Sequence, residues 1–349
     1  MTQCIGWIYK NCIYMVADSA VTTEVPASLP SSSFGEVYHK VEGKTVEEGL
    51  LKLVCINDNI VIAFSGSVRK ATSIIEYIKD AILLNHDIET VINGINDSLG
   101  PFDKDNGVSI LVGIINNNIP IMYLWNSCDM ELRKIEDGVV HIGSTDTFHK
   151  ELNRIYLSLF TKGNMPTGRL LPIFMSILQS YTVHEYMLNQ FIGGIHYGLV
   201  LNSDGIMWHE DIKYVLYGLN FSNVNEITCI CRDGVVIVRS SITNDTRVLL
   251  HSINTARPSE WTHKWEKHIN DCFTSGKAKY WVFIGKSYRN ITVINMPETM
   301  SKSKYFELKY LGDGVFDFAI TEGFKELLEK PLIDRNDGSL PFRLTSIDG

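Results

Sequence analysis

The sequence predicts an α+β fold made of antiparallel sheets and helical layers. Short apolar runs with turn residues between them come in blocks, and segments with helical periodicity come in separate blocks. This order favours antiparallel hairpins over alternating β-α-β units. The 349 residues are 45% hydrophobic and 21% charged, which is typical of a globular protein.

Composition excludes several classes of function. A net charge of -8 argues against a nucleic-acid partner, which normally needs a basic face. No apolar run reaches the roughly 20 residues of a membrane span, and the N-terminus does not read as a secretory signal. The seven cysteines are scattered apart from Cys229 and Cys231, so we expect reduced thiols in the cytoplasm, with no metal and no cofactor.

The first two strands are predicted to form a hairpin. Residues 4–9 and 12–17 are apolar and flank Lys10-Asn11, a tight-turn pair. Asp18 then places a charge at the end of an apolar strand, where a charge requires a partner. At the other end lies Thr2, whose α-amine is exposed if Met1 is removed. An N-terminal threonine supplies both a nucleophilic hydroxyl and a base.

The next segments are expected to be a loop, a hairpin and a helix. Residues 22–49 show no periodicity and are predicted to be a long loop that could order the site. Residues 52–64 form the hairpin, which begins at Lys52 and ends in Ser65-Gly66-Ser67. Apolar residues from Ala71 to Ile82 recur at helical spacing, a stripe that serves either the core or an interface.

The remaining elements follow from the same signals. Up to residue 211 we expect helices at 88–99, 146–160, 169–181 and 183–190, and strands at 108–115, 119–125, 138–142, 195–201 and 206–210. Ser144 or Asp146 is expected to cap the helix at 146–160. Beyond residue 212 we expect strands at 226–238, 247–253, 280–284, 289–295 and 306–310, a helix at 261–273, a strand and helix at 316–330, and a loose polar tail after residue 331.

Five features in order resemble the proteasome β-subunit family of N-terminal nucleophile hydrolases. Thr2 matches the family's nucleophile, Asp18 follows it at the family's interval, and Lys52 opens the next hairpin. Gly66 lies at the family's interval from Lys52, and Ser144 lies in an Ile-Gly-Ser turn. The resemblance covers about the first 210 residues and implies a four-layer αββα sandwich.

The resemblance also implies an activity. Thr2 would attack an amide carbonyl with its own amine as general base, Lys52 paired to Asp18 would favour the alkoxide, and the Gly66 N–H would bind the oxyanion. Ser144 would support the amine. The expected function is a threonine peptidase that acts on a peptide or protein substrate and assembles into a homo-oligomer. The predicted catalytic residues are Thr2, Asp18, Lys52, Gly66 and Ser144.

Departures from the family leave alternatives open. Asn189 and Ile192 replace an Asp and a Ser that support the amine, so we expect slow turnover. The chain divides into a catalytic domain at 1–211 and a C-terminal α+β extension at 212–349, for which we recognise no counterpart. One alternative is an inactive scaffold whose C-terminal region binds a partner protein, and another is a small-amide hydrolase. His263 and His268 are expected to be surface or interface residues.

Overall fold

The computed structural model describes most of the chain. The described residues are 3–24, 31–36, 40–41, 44–99, 107–185, 187, 191–232, 234–251, 265, 267–270, 272, 278–296, 306–312, 315–329 and 343–348. Thr2 and Asn189 lie outside them, as does most of the helix expected at 261–273.

The described residues up to 211 form fourteen strands and five helices. The strands are β1 Gln3–Tyr9, β2 Cys12–Asp18, β3 Ala20–Thr23, β4 Lys40–Val41, β5 Lys44–Glu48, β6 Leu50–Leu51, β7 Leu53–Asn57, β8 Ile60–Gly66, β9 Val108–Asn116, β10 Ile119–Asn126, β11 Glu131–Ile135, β12 Val139–Gly143, β13 His196–Asn202 and β14 Gly205–Trp208. The helices are α1 Val68–Leu83, α2 Ile88–Asn93, α3 Ile95–Leu99, α4 Thr147–Lys162 and α5 Thr167–Glu185.

The described residues after 211 are mostly strands. They are β15 Ile212–Tyr217, β16 Asn225–Arg232, β17 Val235–Ser240, β18 Asp245–His251, β19 Tyr280–Gly285, β20 Asn290–Asn295, β21 Phe306–Gly312, β22 Val315–Ile320 and β23 Arg343–Asp348. A 3₁₀ turn lies at Leu219–Phe221, and α6 spans Glu322–Glu329. The fold therefore combines helices and sheets and is rich in sheet.

Two five-stranded antiparallel sheets hold the first half together. One has the order β12-β1-β2-β13-β14, and the other has the order β11-β10-β9-β8-β7. The predicted first hairpin is confirmed: β1 and β2 pair from Cys4↔Ala17 to Tyr9↔Cys12. Lys10 and Asn11 have φ of 48° and 58°, the left-handed conformation that a two-residue type I′ turn requires.

Helices cover the outer faces of these sheets. Side chains of β8 alternate between two cores, with Val61 and Ala63 facing the first sheet and Ile62 and Phe64 facing α1. The stripe of α1 is buried in that second core, so it serves packing and not an interface. Helices α4 and α5 pack with the first sheet in the other core.

The segment predicted to be a long loop contains strands, so that expectation is wrong. β3, β5 and β4 form a small antiparallel sheet, with Ala20 opposite Glu48. Ser19 O accepts hydrogen bonds from Gly49 N–H (3.0 Å) and Leu50 N–H (3.3 Å). Main-chain pairing with β3 therefore orders a stretch whose side chains give no periodic signal.

An eight-stranded sheet occupies most of the second half. Its order is β23-β20-β19-β15-β16-β17-β18-β6. The tail expected to be loose supplies β23, which pairs in parallel with β20, so that expectation is wrong as well. At the other edge β18 pairs in parallel with β6, which immediately precedes Lys52.

Helix α5 lies between the two halves. It packs against β13 on one side and against β19 and β20 on the other, and thirteen consecutive residues from Leu170 to Thr182 are buried. The largest core accordingly mixes residues of both halves, among them Phe174, Tyr214 and Val282. The division of the chain at residue 211 stays a prediction. Within the described residues, no helix has the length and apolarity to cross a membrane.

Candidate active site

A buried ion pair joins Asp18 and Lys52. Asp18 ends β2, and Lys52 lies between β6 and β7. The Lys52 Nζ atom is 2.6 Å from Asp18 Oδ1, and the two side chains are 2% and 0% exposed. The prediction that Asp18 and Lys52 pair is confirmed, whereas the predicted reach of the pair to the Thr2 hydroxyl falls on a residue outside the described ones. Since each charge would be strongly destabilised alone at this burial, the pair fixes where the ends of the two strands meet.

Asp18 also accepts two main-chain hydrogen bonds. Gln3 N–H donates to Oδ1 (2.9 Å) and Gly193 N–H donates to Oδ2 (3.1 Å). Gln3 directly follows Thr2 in the sequence. The carboxylate therefore links the start of β1, Lys52 and the Gly193-Gly194 turn.

The nearby titratable groups stay neutral. His196 lies opposite Asp18 in the β2–β13 register, and its Nε2 is 3.1 Å from Gln3 Oε1. Burial lowers the pKa of His196 to about 4, with Lys52 adding to the effect and Asp18 opposing it. The Cys4 thiol donates to Phe64 O (3.4 Å), and burial raises its pKa. At neutral pH neither group adds charge beside the ion pair.

Gly66 lies close to Lys52 along the second sheet. Phe64 N–H donates to Lys52 O (3.1 Å), and Gly66 ends β8 two residues later. Its φ is +96°, and an added Cβ would lie 2.0 Å from Gly107 O. Only glycine fits this conformation and this space. A substitution at Gly66 would therefore disturb the backbone as well as any oxyanion site.

Ser144 directly follows the strand paired with the start of β1. Gly143, with φ +102°, ends β12 and lies opposite Gln3. The N-cap of α4 is Asp146, whose Oδ1 accepts from His149 N–H (2.8 Å). Of the two capping residues that the sequence allowed, the structure uses Asp146.

Three carboxylates hold three consecutive amides. Asp18 accepts from Gly193 N–H, Glu36 Oε2 from Gly194 N–H (3.1 Å), and Glu48 Oε1 from Ile195 N–H (2.8 Å). All three carboxylates are buried. Because three successive main-chain amides are each bonded to a buried side chain, the turn after residue 192 is firmly placed against β2.

Glu36 is the neutral member of this group. Burial raises its pKa to about 8, and the charges of Glu48 and Asp18 add to the rise, while hydrogen bonds from Gly194 N–H and Ser32 Oγ (2.9 Å) oppose it. Its Oε1 is buried and accepts no hydrogen bond within the described part of the chain. A protonated Glu36 limits the negative charge that accumulates here.

Glu48 is held by the second half of the molecule. Its Oε2 accepts from Arg247 Nη1 (2.9 Å), on β18, and from Ser33 N–H (2.9 Å) and Ser33 Oγ (2.7 Å). Ser240, on β17, donates its hydroxyl to Ser33 O (2.7 Å). The C-terminal sheet is thus bonded to the segment that leads into Lys52.

Sequence reasoning found part of this site. The structure brings Asp18 and Lys52 together and places Gly66 at the end of β8. Ser144 directly follows β12, whose last residue is paired with Gln3, and Thr2 lies outside the described residues. Glu36, Glu48 and Arg247 were missed. Glu48 and Arg247 are 199 residues apart, and no local pattern connects them.

Among the described residues, one group combines metal-ligating side chains, and it lies in the second half: Asp211, His268 and Cys272.

Comparisons with known proteins give little further information. No family model matches the chain, and no curated protein matches it. The crystal structure of eukaryotic HslV from Trypanosoma brucei is similar at 17% sequence identity and a TM-score of 0.38, over 58% of this chain and 99% of that chain. Because that TM-score is below 0.5, functional inference rests on the geometry above.

Proposed function

We propose that the protein is an N-terminal threonine amidohydrolase, most simply a peptidase, built on a four-layer αββα sandwich. The observation that carries this proposal is the buried Asp18–Lys52 pair, bonded through Asp18 to the main chain of Gln3. The residue before Gln3 is Thr2. A buried lysine close to the nucleophile would favour the negatively charged alkoxide of Thr2 over its neutral hydroxyl.

The proposed mechanism uses an acyl-enzyme. The Thr2 hydroxyl attacks the amide carbonyl while the Thr2 α-amine accepts the proton, for which its ordinary pKa of about 7.7–8.0 is suited. Lys52 stabilises the developing alkoxide. The Gly66 N–H stabilises the oxyanion, and Ser144 orients the amine. The amine then passes its proton to the leaving nitrogen, and water hydrolyses the ester on Thr2.

Acylation by an electrophilic peptide probe tests this mechanism. We expect wild type and Thr2→Ser to be labelled and Thr2→Ala not to be. Lys52→Arg keeps the charge and should retain part of the rate, whereas Lys52→Met should lose it. Labelling of Thr2→Ala at the wild-type rate would refute the proposal.

A second candidate is an inactive scaffold whose C-terminal region binds a partner protein. Ile192 favours it, because its aliphatic side chain has no atom that could form a hydrogen bond to the amine. It packs in the main core and is 0% exposed. Asn189→Asp would restore the carboxylate that the family resemblance implies at this position. Faster labelling of this variant would support a weakened enzyme, and retained Met1 with no labelling would support the scaffold.

We also propose that the protein forms a homo-oligomer. The α1 stripe is buried in the core and is therefore not available for assembly. On α4, Phe148, Ile155 and Leu159 are 63%, 39% and 50% exposed, respectively. Light scattering should show a mass above that of one chain, and Ile155→Asp with Leu159→Asp should reduce it. A wild-type monomer at micromolar concentration would contradict assembly but not the hydrolase.

A further inference from the structure

Three side chains with metal-ligating atoms meet in the second half of the chain. Asp211 immediately precedes β15 and is buried, while His268 and Cys272 are helical residues four positions apart. Residues at this spacing lie on one face of a helix. His268 Nε2 is 3.0 Å from Asp211 Oδ2, and Cys272 Sγ is 3.5 Å from that oxygen and 3.6 Å from that nitrogen.

These separations match the edges of a tetrahedron around zinc. Oxygen, nitrogen and sulfur ligands lie about 2.0–2.3 Å from zinc, so tetrahedral neighbours lie about 3.3–3.6 Å apart. The three atoms are therefore spaced as ligands before any ion is considered. Two of the three separations fall in this range, and the third is slightly shorter.

Hydrogen bonding alone does not satisfy this cluster. His268 Nε2 lies 2.8 Å from Arg232 Nη2 as well as 3.0 Å from Asp211 Oδ2. A protonated Nε2 can donate to Asp211 but then faces an Arg232 N–H, and an unprotonated Nε2 can accept from Arg232 but then faces a carboxylate oxygen. One of the two contacts is repulsive in either state.

We propose that Asp211, His268 and Cys272 form a three-ligand metal site, with zinc as the ion. A ligand set of carboxylate, imidazole and thiolate suits zinc and disfavours magnesium and calcium, which prefer oxygen alone. Zinc binding displaces the Cys272 thiol proton to solvent, and Asp211 and Cys272 together balance the ion's two charges. A fourth position is left for water. This inference does not depend on the proposed function.

Arg232 must move when the ion binds. Its Nη2 is 2.7 Å from Asp211 Oδ2, so the guanidinium now takes the place of a cation beside this oxygen. Asp211 Oδ1 is buried and accepts no hydrogen bond in the described residues. Arg232 can transfer its hydrogen bond to Oδ1, where it would orient the carboxylate as an outer partner. The His268 side chain is 39% exposed, which gives the ion a route from solvent.

Cobalt titration of the full-length protein, stripped of metal by a chelator, tests the site. Wild type should bind one cobalt ion per chain and show the thiolate-to-cobalt charge-transfer band with the visible bands of tetrahedral cobalt. Cys272→Ser should lose the charge-transfer band. Cys128→Ser, which changes an exposed cysteine elsewhere, should keep it. In competition with a chromophoric chelator, His268→Asn should weaken zinc binding by more than the roughly 10–100-fold that loss of an outer partner costs.

Circular dichroism of each variant separates loss of a ligand from loss of the fold. If Cys272→Ser does not fold, the wild-type cobalt spectrum and the zinc affinity of His268→Asn still decide whether the three residues bind a metal ion. The proposal is overturned if equimolar cobalt gives wild type no thiolate band, or if a folded Cys272→Ser gives the same band as wild type. It is also overturned if His268→Asn binds zinc as tightly as wild type.

Discussion

Asp18 is the residue on which the candidate site depends. Donors from three separate parts of the chain, Gln3 N–H, Lys52 Nζ and Gly193 N–H, converge on its two oxygens. Its negative charge is fully buried and is balanced by one lysine. The site is therefore sensitive to the charge of Asp18 and not only to its size.

Replacing Asp18 with Asn should destabilise the protein strongly. Lys52 would remain buried without a counter-charge, which costs about 3–5 kcal/mol of unfolding free energy. Urea unfolding measures the change. The matched control is Glu131→Gln, because Glu131 pairs with Arg133 at the surface, where both side chains are more than half exposed and an ion pair contributes little to stability. Equal losses of unfolding free energy in the two variants would show that burial does not determine the strength of the Asp18–Lys52 pair.

Glu36 should make stability depend on pH. Its pKa is raised from 4.5 in the unfolded chain to about 8 in the folded protein. The contribution of protonated Glu36 to the free energy of unfolding is therefore complete below pH 4.5 and is lost as pH rises to about 8. Glu36→Gln keeps the hydrogen-bonding shape without the proton. The stability of this variant relative to wild type should therefore rise between pH 5 and 8, at no more than about 1.4 kcal/mol per pH unit. Parallel stability curves from urea unfolding would show that Glu36 is not protonated.

At the residue scale, the Asp18–Lys52 pair could be predicted from sequence, but the buried Glu36 and Glu48 that hold the neighbouring turn could not. Asp18 ends an apolar strand and Lys52 begins one, so burial with a partner follows from position alone. Glu36 and Glu48 lie in a stretch rich in Ser, Pro and Gly, where side-chain pattern gives no burial signal. Their burial depends on Arg247 and the Gly193-Gly194 turn, which are distant in the sequence.

Among the elements, residues 31–51 connect the two halves of the molecule. Within the described parts of this range, Glu36 and Glu48 bond to the main chain of Gly194 and Ile195, and β6 at its end pairs with β18. Arg247, on β18, is the positive charge paired with the buried Glu48 side chain. Arg247 is thus a positioning residue for the proposed site.

Arg247→Met should both destabilise the protein and slow acylation of Thr2. Leaving Glu48 buried without its partner costs about 3 kcal/mol of unfolding free energy. Arg247→Lys should recover part of the stability and part of the acylation rate, since it restores the positive charge. Arg289→Met is the control, because its pair with Glu185 is partly exposed. If Arg247→Met lowers stability but folded protein is acylated at the wild-type rate, Arg247 has only a structural role.

The missed elements share a physical cause. β23 has the sequence Arg-Leu-Thr-Ser-Ile-Asp and lies at a sheet edge, where main-chain hydrogen bonds to β20 and not an apolar run define it. β3, at the edge of the three-stranded sheet, is similar. α5 was predicted as two helices but is continuous over Thr167–Glu185, since sheets on both sides bury it nearly all round.

At the scale of the whole molecule, the second half covers apolar surface that the first half would otherwise expose. The main core contains Phe174 of α5 together with Tyr214 and Val282 of the eight-stranded sheet. The predicted boundary at residue 211 therefore separates sequences whose side chains share a core.

A fragment of residues 1–211 should not unfold cooperatively. It would expose the face of α5 that packs on β19 and β20 and would leave Glu48 without Arg247. Heat and urea unfolding, followed by circular dichroism, should show a broad transition with binding of a hydrophobic dye, or aggregation. A sharp transition like that of the full chain would show that the first half is an independent domain.

The central claim is that Thr2 is the N-terminal nucleophile beside the Asp18–Lys52 pair. Intact mass of the purified full-length protein, before and after reaction with an electrophilic peptide probe, tests it most directly. We expect a chain without Met1 that carries one probe per chain, with the adduct mapped to Thr2 in the N-terminal peptide. A chain that retains Met1 throughout, or an adduct on any other residue, would contradict it.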